Sequence, residues 1–104
     1  MTRKSSEAGQ LKTAIERMHG GTATLLERVP VIEKFQGQTA WRGTVHVFAL
    51  AGHPEADTCY AWSSVVEGSD KRRYYAVLKI PPVVSPETAV RAAIVADHKV
   101  GRMR

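Results

Sequence analysis

The chain has 104 residues, 43% of them hydrophobic, and a formal charge of +5, enough apolar content for one core and too short for two. Bulk disorder is excluded by this composition, and the single cysteine, Cys59, excludes an intrachain disulfide framework and a structural zinc site. No apolar run has the length of a membrane span or the form of a signal peptide, so the expectation is a cytoplasmic protein with no membrane partner.

One domain over residues 1–104 is expected, with 1–5 and 99–104 as frayed tails that carry much of the excess charge on Arg3, Lys4, Lys99, Arg102 and Arg104. Within it, Ser6 to His19 reads as an amphipathic helix. Leu11, Ala14, Ile15 and Met18 recur at helical spacing, and Gly20 and Gly21 supply a stop. From Thr22 to Phe35 the pattern becomes extended, interrupted by Pro30, which suits an edge strand or a bulge. Gln36 to Gln38 then form a turn.

Trp41 to Leu50 is rich in β-branched and aromatic residues and ends in the turn cluster AGHPEAD. Thr58 to Val66 and Arg73 to Ile80 follow in the same style, and short connections make an antiparallel meander. Pro81, Pro82 and Pro86 end the sheet and frame a second helix, with Ser85 as N-cap and Pro86 at the first helical position. That helix is expected to run to Asp97 or Val100. The fold class is therefore α+β, an antiparallel β-meander of three to four strands flanked by an N-terminal and a C-terminal helix.

Alternation splits each strand into two faces, and centred hairpins join the sets across the sheet. One face collects Val45, Val47 and Ala49 with Cys59, Ala61 and Val65, and with Tyr74, Ala76, Leu78 and Ile80. This smoother apolar set is expected to receive both helices. The other collects Arg42, His46, Phe48 and Leu50 with Tyr60, Trp62, Ser64 and Val66, and with Arg73, Tyr75, Val77 and Lys79, so aromatic and basic groups interleave.

Left open to solvent, such a face fits first a self-complementary dimer patch or a protein interface, and after it a platform on which unpaired bases stack between cationic side chains. A third possibility is that the Thr22 to Phe35 segment folds across it and makes it core. The candidate binding residues are Arg42, His46, Phe48, Tyr60, Trp62, Arg73, Tyr75 and Lys79.

Signals for catalysis are poor. Cys59 points to the expected core, where a free thiol is inert packing. His46, His53, Asp57 and Cys59 match no standard metal-ligand spacing, and His53 in the GHP turn suits a backbone-bonding role. Glu55 with Asp57 and Glu67 with Asp70 occupy solvated turns, and Gly20 with Gly21 follows a helix where a phosphate loop precedes one. No catalytic residue, metal or cofactor is assigned.

The pieces VPVIEKFQGQTAW, VFALAGHP, CYAW, KRRYYAVL and PPVVSPETAVRAAIVAD, between Val29 and Asp97, resemble a family of short uncharacterised proteobacterial proteins often carried on integron cassettes and other mobile elements. The resemblance implies a bacterial protein encoded near mobile DNA and no particular reaction. The element order is also similar to double-stranded-RNA-binding folds, but Pro86 and Glu87 stand where those place basic residues. The expectation is a non-enzymatic binding or assembly protein, a homodimer or partner of another protein through the aromatic face, with nucleic acid on that face as the alternative.

Overall fold

A computed structural model describes residues 7–65 and 68–102. Its elements are a helix α1 (Glu7–His19), four strands β1 (Thr22–Phe35), β2 (Gln38–Ala51), β3 (Thr58–Val65) and β4 (Arg72–Leu78), and a helix α2 (Pro86–Arg102). The strands form one antiparallel sheet in the order β1-β2-β3-β4, so each pairs with its sequence neighbour as a meander requires.

Local chemistry accounts for the boundaries. Leu11 and Ile15, one helical turn apart, are both fully buried under α1. The helix stops where Gly20 and Gly21 take positive φ, and a Cβ on Gly21 would lie 2.4 Å from the Ala51 carbonyl oxygen, so only glycine admits this approach. Gln36 and Gly37 both have positive φ, giving the tight two-residue hairpin between β1 and β2. Ser85 accepts the Thr88 N–H at 3.2 Å and caps α2, which continues to Arg102 and so includes positions 99–102 that read as tail. Pro30 sits on the edge strand β1, where its missing N–H costs no ladder bond.

The helices lie on opposite faces of the sheet. Leu11 and Ile15 of α1 pack with Ala23, Phe48, Leu50, Cys59 and Ala61. Ala89 and Val90 of α2 pack with Val31, Val45, Val47, Tyr60, Trp62 and Val83 on the other side. This corrects the expectation that both helices share one face, and its cause is a single residue of register. β2 meets β3 with Val47 opposite Tyr60 and Phe48 opposite Cys59, whereas centred pairing sets Ala49 against Cys59. Because the side-chain period is two, that shift exchanges the whole β2 set between faces.

The loop explains the shift. His53 Nδ1 accepts the N–H groups of Glu55 and Ala56 at 3.0 and 3.1 Å, and Leu50 N–H donates to Asp57 O at 2.9 Å, so the turn closes off-centre. β3 and β4 follow the expected alignment, with Ala61 opposite Ala76.

Candidate functional site

The eight expected binding residues do not share a surface. His46 and Phe48 face α1 and are only 3% and 1% exposed, while Tyr60 and Trp62 face α2 at 4% and 2%. Tyr75 is half-buried and stacks on Trp62 with 5.1 Å between ring centres, and the Arg73 guanidinium lies over the Tyr75 ring. Lys79 is exposed beyond the end of β4, beside the His53 turn. Arg42 projects into solvent from the long hairpin. The aromatic residues are therefore core, Tyr60 and Trp62 under α2 and His46 and Phe48 under α1, covered by helices and not by a folded-over Thr22 to Phe35 segment, and Val66, assigned to the same face, lies outside the described residues. A stacking platform for bases and an aromatic dimer patch both lose their surface.

Groups that suggested chemistry have structural roles. Cys59 is fully buried, and burial pushes its thiol up to about 12, so it carries no thiolate at neutral pH. His53 organises its turn through Nδ1. His19, half-buried at the end of α1, has Nε2 3.0 Å from the Ala76 carbonyl oxygen on the outer edge of β4. Among the described residues no group of three His, Cys, Asp or Glu side chains is placed to hold a metal ion.

His46 is the exception to good pairing. Its Nδ1 is buried with no hydrogen-bond partner among the described residues. Burial, aided by the Arg28 charge and opposed by Glu7, holds its pKa below the ordinary histidine value. Near it, Ser63 Oγ donates to the Glu7 carboxylate and accepts from Arg72 Nε at 2.9 Å, tying the start of α1 to β3 and β4.

His46 also marks a fork in the sheet. β2 pairs with β3 only over His46–Ala49, although β2 begins eight residues earlier at Gln38. Past that point β1 and β2 continue as a two-stranded arm. A side chain bridges the gap where the backbone does not: Trp41 Nε1–H donates to Ser64 Oγ at 3.0 Å. The indole reaches across because Gly43 leaves room, since a Cβ there would lie 2.6 Å from the ring.

The arm has one covered and one open face. Toward α2 it presents Val29, Val31, Glu33 and Trp41, and Arg91 Nε donates to the nearly buried Glu33 carboxylate at 2.6 Å. Alternation along β1 from Arg28 places Arg28, Pro30, Ile32 and Lys34 on the opposite side, paired with His46, Thr44, Arg42 and, past an irregularity at Ala40, Thr39. Apart from His46 all of these residues are exposed, Ile32 by 56%.

Charge is sorted between the two sides. The acidic residues of β1 and β2 are Glu27 and Glu33, and both face α2, where Glu27 helps hold the Tyr60 pKa up and Glu33 pairs with Arg91. Arg28, Lys34 and Arg42 form no ion pair among the described residues. Arg28 and Lys34 are absent from the residues expected from sequence, although the alternation around Pro30 displays them, because the aromatic strands carry the stronger signal. No protein-family model, curated protein or solved structure matches this chain.

The His46 environment sets a pH response. A folded pKa below the unfolded value means that the unfolded chain takes up the proton first as pH falls, so stability is present above the ordinary histidine range and is lost below it. Urea unfolding of the native chain and of His46→Gln between about pH 7.5 and 5.5 is expected to show the steeper loss in the native chain. Parallel losses in the two proteins would remove His46 as the cause.

Proposed function

We propose that this protein is a non-enzymatic binding protein whose working surface is the open face of the β1–β2 arm, and that its partner is nucleic acid. The observation that carries the reading is the sorting of charge: Arg28, Lys34 and Arg42 share one exposed face that receives no acidic side chain from either strand of the arm. Surface cations are ordinarily interspersed with carboxylates for solubility, whereas cations gathered on one face raise encounter rates with polyanions and neutralise phosphates on contact. The face measures roughly 20 Å from the Arg28 row to the Lys34 row at about 3.4 Å per residue.

Binding of a fluorescein-labelled DNA oligonucleotide, followed by anisotropy, is expected to weaken with salt at a log–log slope near −2, about −0.9 for each of the phosphate contacts of Arg28 and Lys34. Arg28→Ala with Lys34→Ala should remove most of that slope and weaken all sequences alike. Absence of binding at low salt would sink the proposal.

A protein partner is favoured by one separate observation, at the outer edge of β4. Lys79 N–H donates to Thr58 O, so the odd-numbered β4 residues bond β3 and the backbone groups of Tyr74 and Ala76 point outward. His19 takes the Ala76 carbonyl, and beside it an open hollow of about 580 Å³ lies between α1 and β4, lined by Gln10, Ala14, Met18 and Tyr74. An extended acidic segment of another protein suits this edge. A second copy of the chain does not, because residues 71–79 carry only positive charges and antiparallel pairing about Tyr74 and Ala76 would set Lys71 of each copy against Lys79 of the other. Light scattering is accordingly expected to give the mass of one chain, and a stable dimer would overturn this assignment.

A further inference from the structure

The form of nucleic acid follows from the shape of the arm, if the reading above holds. We propose that the open face of the β1–β2 arm lies in the major groove of B-form duplex DNA, in preference to single strands or duplex RNA. Three features of the arm point the same way.

The first is its width. β2 parts from β3 at the His46–Ala61 pair, so the arm beyond it is two strands wide. The B-DNA major groove, about 12 Å across, admits a two-stranded ribbon, whereas the A-form major groove is too narrow for side chains to read.

The second is what the face lacks. Single-strand binders stack unpaired bases on exposed aromatic rings. Here Phe48, Tyr60 and Trp62 are buried in the two cores, and Trp41 turns toward α2, where it packs 5.8 Å from Trp62. The open face instead carries Pro30, Ile32, Thr39 and Thr44 between its cations. These side chains are short enough to approach base edges. Arg42, at mid-face opposite Ile32, has the fork that pairs with guanine O6 and N7, and Arg28 and Lys34 stand at the two ends of the face where the sugar-phosphate walls pass.

The third is its backing. A ribbon laid face-down in a groove needs its other side clear of the DNA and held stiff. α2 occupies that other side, with Val31 and Val90 in one core cluster and Arg91 bonded to Glu33. The helix thus supports the arm without standing between it and the duplex.

Anisotropy with labelled 20-mers of duplex DNA, single-stranded DNA and duplex RNA, in parallel, tests this inference separately from the function it rests on. Duplex DNA is expected to bind at least about tenfold more tightly than the other two. Methyl green, which occupies the major groove, should displace the protein, and netropsin, which occupies the minor groove, should not. Ile32→Glu, at an exposed position, should abolish duplex binding while leaving the unfolding midpoint near that of the native chain. Equal or tighter binding of single strands or duplex RNA, or displacement by netropsin, would overturn the groove assignment while leaving nucleic-acid binding standing. No binding to any of the three would overturn both.

Discussion

The pairing of Val47 with Tyr60 decides which side chains of the central strands share a face, and most of the molecule follows from it. Only four residue pairs join β2 to β3, yet they set Phe48 beside Cys59 and Ala61 under α1, and Val45 and Val47 beside Tyr60 and Trp62 under α2. A slip of one residue would carry Phe48 to the α2 side and remove it from Leu11 and Ile15. Burying a side chain of this size contributes about 1.5–3 kcal/mol, so each misplaced residue weighs against the slipped form. With apolar residues on both faces, two layers of helix are required, one on each side.

Covering both faces leaves the arm as the place where sheet meets solvent. Its inner face is committed to α2 through Val31 and the Glu33–Arg91 pair, which brings the carboxylate inward. The cations alternating with those residues must then point the other way, where neither strand of the arm supplies an acid. The packing that makes the arm rigid therefore also sorts its charge. Gly43 belongs to the same arrangement: without a Cβ it lets Trp41 lie across the strand and reach Ser64, bridging β2 and β3 where their backbones have parted.

Much of this was legible in the sequence. Periodicity located both helices and all four strands, Gly20 and Gly21 marked the end of α1, and Ser85 with Pro86 marked the start of α2. Pro30 suited an edge strand or a bulge, of which the structure has the edge strand, and His53 in its turn suggested a backbone-bonding ring. Register was not legible, because hairpin symmetry is a poor guide when a loop closes through one side chain, as His53 does with Glu55 and Ala56. The bulge around Leu26 and the fork at His46 likewise arise from tertiary packing, and neither leaves a local signature. The error in register propagated into the site, turning Tyr60, Trp62 and Phe48 from core into surface and drawing attention away from Arg28 and Lys34.

The most direct test is the pattern of Hα–Hα contacts between β2 and β3 in a nuclear Overhauser spectrum. Leu50 N–H bonded to Asp57 O makes the even-numbered β2 residues the hydrogen-bonded partners, which leaves Val47 opposite Tyr60 as a close, non-hydrogen-bonded pair. The account predicts a strong Val47–Tyr60 cross-peak. A Phe48–Tyr60 or Ala49–Cys59 cross-peak in its place would restore the centred register, return the aromatic residues to one face with Arg42, and contradict the account.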